Sequence, residues 1–210
     1  ANELNDILGK TVITRTFEEV TGKEIRRFHQ VPLSFTDEEK AVYDVVVKEF
    51  GRIQREYFTS TGNSRKDAML RLMQQITLLL RAAAAPNTLQ EYKGSTPTKI
   101  IAAVEMAGQW DNEIVAIGVR HKNVLDAYAE AIREYLPDRP LFTVTGSTWT
   151  FKQRRALRKT LKESKNGILL CTQQSLPSSV NFDYVNKILI PEMHYNNSGM
   201  SQFYIRFIRF

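Results

Sequence analysis

An α/β fold with a parallel sheet covered by helices is what this sequence predicts, and three observations predict it. From about residue 97 onward, short apolar runs ("EIVAIGV", "LFTVTG", "GILLCTQ" and "KILIPEM") alternate with longer stretches of helical period. The runs are too short for helices and lack polar alternation, as in strands buried on both faces. The stretches after them, "RHKN", "GSTW", "TQQSLPSSVN" and "HYNNSGMSQ", are polar. In open parallel sheets ligands bind at the loops beyond the strand C-terminal ends.

The elements follow in order. "KEIRRFHQVPLSF" alternates partly and is stopped by Pro32, which suggests a strand or extended segment. "FTDEEKAVYDVVVKEFGRIQREY" opens with a capping box from Thr36 to Glu39, and Val42, Val45, Val46, Phe50 and Ile53 continue at helical spacing. "SRKDAMLRLMQQITLLLRAAAAP" reads as a second helix, ended by Pro86. "TKIIAAVEMAGQW", "NVLDAYAEAIREYLP" and "TFKQRRALRKTLKES" are further helices between the strands. Residues 1–94 are therefore expected to form an extended segment and a helical region, and residues 95–210 the α/β part. No internal repeat or low-complexity tract interrupts the chain.

Composition narrows the class. Hydrophobic residues make up 42% of the 210 positions and charged residues 25%, as in an ordinary globular protein with a sizeable core. The single cysteine, Cys171, excludes a disulfide framework and a multi-cysteine zinc site, and points to an intracellular setting. No signal peptide and no membrane-spanning run is legible, so no membrane partner is expected. The net charge of +6 is a modest pointer to nucleic acid, whose phosphates attract Lys and Arg.

Several motifs invite chemistry. "GKT" at Gly9–Thr11 is not a phosphate loop, because no glycine stands five residues ahead and no strand precedes it. His29, His121 and His194 are scattered without metal-ligand spacing, so no metal is expected. Cys171 ends an apolar run and suits a core better than a nucleophile. Lys152, Arg155, Lys159 and Lys162 share one helical face, either a solvated surface or one that tracks a phosphate backbone. In the closing "SQFYIRFIRF", Gln202, Arg206 and Arg209 stack on one face of a helix, with Phe203, Phe207 and Phe210 one step round. Two arginines a turn apart suit a multiply charged anion such as a triphosphate.

Taken together, "TVTGS", the basic helix with "QRR", "ILLCTQQSLPSSVNF", "KILIPEMHYNNS" and "QFYIRFIR" resemble, in order and spacing, the C-terminal RecA-like lobe of superfamily-two helicases, and most of all the Swi/Snf-type ATPases. "VITRTFEEV" and "LSFTDEEKAVYD" resemble the stretch joining the two lobes, and "STPTK" the start of the second lobe. Gln202, Arg206 and Arg209 match the family's last motif. Asn196 is kept from an asparagine that usually follows tryptophan and precedes proline; here "YNN" stands there. Thr172 and Asn181 match a motif whose glycines are replaced by serines, in a loop one residue longer, so the branch is diverged.

The resemblance implies a function. Arg206 and Arg209 would act as arginine fingers on ATP bound with magnesium on a separate N-terminal lobe, and Gln202 would line the same nucleotide. Gly146, Ser147, Arg155, Thr172, Gln173, Asn181 and Asn196 would hold a nucleic-acid backbone, most readily that of double-stranded DNA. The expected activity is an ATP-dependent helicase or translocase, in the cytoplasm of a prokaryote or phage or in a eukaryotic nucleus. The Walker loop and acidic box would lie on the other lobe, so these 210 residues alone are expected to be inactive. With that lobe missing, the aromatic face of the terminal helix is expected to be poorly covered. The alternatives are a non-catalytic module that binds nucleic acid or a protein, and a Rossmann-like small-molecule enzyme. The last is disfavoured by the lack of a glycine fingerprint in the early βα turns.

Overall fold

The computed structural model describes residues 19, 22, 27–146, 150–176, 180–193 and 197–207, with backbone only at 151, 197 and 198. Residues 33–209 form one compact unit. Residues 27–35 run without regular structure, so the strand allowed there does not form; Phe28 and Val31 stand in solvent.

Helix α1 spans Asp37–Thr59 and starts as its capping box requires. The Glu39 amide donates to Thr36 Oγ1, and the Thr36 amide donates to Glu39 Oε2 at 2.7 Å. Three acidic residues in the first turn add to the cap by facing the positive end of the helix dipole. Helix α2, Gly62–Ala84, packs along α1, and its Ala68 and Ala82 are buried. It ends where Pro86 forces Ala85 out of helical conformation. The seam runs through Val42 and Ile53, which lie almost in line on α1, while Val45 falls to one side and is 60% exposed. The single apolar stripe predicted from spacing is thus narrower than expected.

The α/β part alternates as predicted. Helix α3 is Thr98–Gln109, strand β1 Val115–Val119, helix α4 Lys122–Tyr135 and strand β2 Leu141–Val144. Helix α5 is Phe151–Ser164, β3 Ile168–Thr172, β4 Lys187–Leu189 and helix α6 Asn197–Tyr204. All pairings are parallel, in the order β2-β3-β1-β4, with Val115 beside Ile168 and Lys187, and Gly118 beside Cys171. β4 is the shortest, because Pro191 follows closely and has no N–H to extend the ladder.

Strand alternation divides the core in two. Val115, Ile117, Ile168 and Leu170 face α3 and α4, where Ile100, Val104, Val124, Tyr128 and Ile132 are buried. Ala116, Leu169 and Cys171 face the other way, against Leu157 and Leu161 of α5 and the phenylalanines 182, 203 and 207. At the strand N-terminal edge, Arg139 donates to the carbonyls of Ala107, Glu113 and Asn166, so one guanidinium ties the last turn of α3 to the connections that lead into β1 and β3. The opposite edge is left for function.

Candidate functional site

Of the predicted residues, Gly146, Thr172, Gln173 and Asn181 lie at or after the strand C-terminal ends, the rim of the sheet, and α6 is fixed by its aromatics. Phe203 is 1% exposed, with its ring against β1 at Gly118, where any side chain would meet it. Phe207 stacks edge-on to Phe203 at 5.2 Å, and Phe182 lies 6.2 Å from Phe207. Met200 is buried as well. The expectation of a poorly covered aromatic face is therefore corrected for the described residues: this face is core, because the glycine in β1 leaves a socket for a ring.

A second correction concerns the helix itself. Gln202, Arg206 and Arg209 were expected on one continuous helical face, yet α6 ends at Tyr204. The Ile205 amide still reaches Ser201, but the two after it reach back only three residues, Arg206 to the Phe203 carbonyl at 3.2 Å and Phe207 to Tyr204 at 3.0 Å. The Arg206 carbonyl then accepts from the Phe182 amide at 2.6 Å, which anchors the turn to the segment after β3. Gln202 is exposed. Arg206 is half-buried, and its buried Nε has no hydrogen-bond partner among the described residues. Burial moves this guanidinium below its ordinary value. Arg209 lies outside the described residues.

The residues predicted to hold nucleic acid separate into two groups. Gly146, exposed after β2, has φ +59° with open space where a side chain would stand. Arg155 is exposed on α5, and Asn181 is exposed with its carbonyl taken by Arg158 Nε at 2.6 Å. Thr172 and Gln173, by contrast, are buried and bonded inward. Thr172 Oγ1 lies 2.6 Å from Ser175 Oγ, which donates to the Val144 carbonyl at 2.9 Å. Gln173 Nε2 donates to the carbonyls of Gly118, at 3.1 Å, and Glu192, at 2.5 Å. Their side chains brace the rim and are not on its surface. Ser147 and Asn196 lie outside the described residues.

The cationic face of α5 forms as spaced: Lys152, Arg155, Lys159 and Lys162 are all exposed. Arg158 turns away from it to pair with Asp183 at 2.8 Å. Cys171 is fully buried and its thiol is pushed up by burial, so it is an inert core residue as expected. Among the described residues no three His, Cys, Asp or Glu side chains converge as a metal site. No described helix is long and apolar enough to cross a membrane.

Sequence reasoning missed one polar cluster on this rim. Glu192, between β4 and α6, is 4% exposed, and its Oε2 accepts from the Arg120 amide at 2.5 Å. Burial raises its pKa, opposed by that amide, by Arg120 and Lys99, and by the His121 amide. Lys99 donates to the Pro191 carbonyl at 3.3 Å, and burial lowers its pKa. His121 is lowered by burial first, then by Arg120 and Arg81. The available signal was a glutamate set in the apolar run "ILIPEM".

No protein-family profile matches the sequence, and no curated protein does. Solved structures do match. A Sulfolobus solfataricus SWI2/SNF2 ATPase C-terminal domain superposes with TM-score 0.57 at 17% identity, covering 74% of this chain and 67% of that one. The Sulfolobus solfataricus SWI2/SNF2 ATPase core domain gives TM-score 0.67 at 16% identity, over 99% of this chain and 43% of that one. The same ATPase core in complex with dsDNA gives 0.62 at 17%, over 90% and 40%. The chain thus has the fold of a SWI2/SNF2 RecA-like C-terminal lobe and spans about two fifths of the core structures.

Proposed function

We propose that this chain is the C-terminal lobe of an ATP-driven nucleic-acid translocase of the Swi/Snf type. Its ATP and magnesium would be held chiefly by a second, N-terminal lobe of the same polypeptide. The observation that carries the reading is Arg206: its backbone carbonyl is anchored to Phe182, its side chain is half-buried, and its buried Nε has no hydrogen-bond partner among the described residues. A buried donor without a partner costs free energy until an acceptor arrives, and a phosphate oxygen is the acceptor an arginine fits best. Arg209, three residues on, and Gln202, exposed on α6, would complete the contact with the nucleotide.

Nucleic acid would lie across Gly146, Arg155 and Asn181, with Ser147 and Asn196 alongside. Thr172 and Gln173 support this surface from beneath. The open backbone at Gly146 suits a phosphate approaching its amide, and the cationic ridge of α5 supplies attraction without base preference. A solved relative of the fold is a complex with dsDNA, which favours a duplex as ligand.

The test uses a polypeptide carrying both lobes. Replacing Arg206 by Ala should lower ATP turnover about a thousandfold while nucleotide still binds, and Lys should not rescue it, because a point charge lacks the planar fork. Wild-type turnover in Arg206→Ala refutes the assignment. If turnover is absent with and without duplex while duplex still binds, the chain is a non-catalytic binding module.

A further inference from the structure

Helices α3 and α4 begin without a cap of their own. α3 follows Pro97 and α4 follows His121, and neither N-cap side chain bonds its helix. In both cases a buried glutamate from a distant part of the chain supplies the acceptor. Glu39 takes the Thr98 amide and hydroxyl, at 2.7 and 2.8 Å. Glu192 takes the Arg120 amide at the mouth of α4, at 2.5 Å. A carboxylate on amides at a helix N-terminus is a favourable, directional contact.

Glu192 differs from Glu39 in where it sits. It lies on the segment that leads from β4 into α6, five residues ahead of that helix. Its backbone is held too, since its carbonyl accepts from Gln173 Nε2, and Gln173 also donates to the Gly118 carbonyl. The ends of β1, β3 and β4 are therefore laced together at one residue. Gly118 is also the socket for the Phe203 ring, so the same lacing borders the packing that seats α6.

We propose that Glu192 is a positioning residue that latches the β4–α6 segment to the start of α4 and so fixes where Gln202 and Arg206 stand. The consequence for turnover rests on the function proposed above; the latch itself does not. A Gln at 192 keeps an oxygen able to accept from the Arg120 amide, Asp is one methylene short of it, and Ala has no acceptor.

Amide hydrogen exchange on this chain tests the latch. In Glu192→Ala the amides of Arg120 and His121 and those of α6 should lose protection, while α5 and β2 keep theirs. Glu192→Gln should restore the wild-type pattern. Unchanged protection of α6 in Glu192→Ala overturns the proposal. If the Ala variant does not fold, Glu192→Asp decides: selective loss at Arg120, His121 and α6 supports the latch, and wild-type exchange overturns it. In the two-lobed polypeptide, Glu192→Ala should lower kcat about a hundredfold with KM little changed, and Gln should recover most of it. Wild-type kcat in Glu192→Ala beside an inactive Arg206→Ala sinks the latch alone. Wild-type turnover in Arg206→Ala sinks the proposed function alone and leaves the exchange result standing.

Discussion

Gly118→Ala is a one-atom perturbation whose effect follows from the seat of α6. A Cβ at position 118 would press on the Phe203 ring, 2.9 Å from Cε1 and 3.1 Å from Cε2, with Cζ closer still. The ring has little room to retreat: Phe203 is 1% exposed and backed by Phe207, which is itself packed on Phe182. Overpacking of this kind costs about 1–3 kcal/mol, offset by about 0.5 kcal/mol because alanine has fewer unfolded conformations than glycine. The net loss should be about 1–2 kcal/mol, read by urea denaturation followed by circular dichroism. A double-mutant cycle isolates the cause. Phe203→Ala alone should cost about 3–5 kcal/mol; in that background Gly118→Ala should cost nothing or stabilise slightly, a coupling of about 1–3 kcal/mol. Equal losses from Gly118→Ala with and without the ring would refute the socket.

Two further outcomes test the polar framework. Glu39→Ala removes the α1 capping box and the α3 cap together and leaves the Thr98 amide unmatched, so it should cost about 2–4 kcal/mol in the same denaturation assay. A loss under about 0.5 kcal/mol, the range of ordinary surface changes, would show the contact to be idle. His121 has its pKa depressed by burial and by Arg120 and Arg81, with the Glu192 carboxylate also facing its helix start. Its stabilising contribution is complete above the ordinary value of 6.5 and is lost as pH falls through the depressed folded value. Glu192 acts with the opposite sign: its pKa is raised, so its contribution is complete below 4.5 and is lost as pH rises through the raised value. The His121 contribution to the urea midpoint should therefore fall as pH drops below 6.5, so His121→Gln should change the slope of midpoint against pH there toward greater stability at low pH; an identical slope in the variant would remove His121 as a contributor.

Strand and helix order was legible because each element carries its own signal. The capping box at Thr36–Glu39, the buried apolar runs and the stop at Pro86 are local, and each appeared where its residues put it. What could not be read depends on partners distant in sequence. Val45 belongs to an apolar period, yet only the path of α2 decides which part of that stripe is covered. Thr172 ends a strand and Gln173 follows it, as rim residues should, and their inward turn comes from Ser175, Gly118 and Glu192. Spacing placed Gln202 and Arg206 on one helix, but the bond from Phe182 to the Arg206 carbonyl draws the chain into a turn first.

That turn changes how the arginine is aimed. On a continued helix Arg206 would stand over Gln202 and its direction would be set by α6 alone. In the turn its backbone is shared between α6, through the Phe203 carbonyl, and the segment after β3, through Phe182. The segment after β3 also carries Asn181, one of the residues proposed to face nucleic acid, immediately before Phe182. Under that proposal, a shift of Asn181 would reach the Arg206 backbone through one peptide and one hydrogen bond. Phe182 is 2% exposed and wedged against Phe207, so that path is stiff rather than slack. The aromatic residues of "QFYIRFIR" thus anchor the turn, and under the proposed function their packing would couple the Asn181 segment to the Arg206 guanidinium.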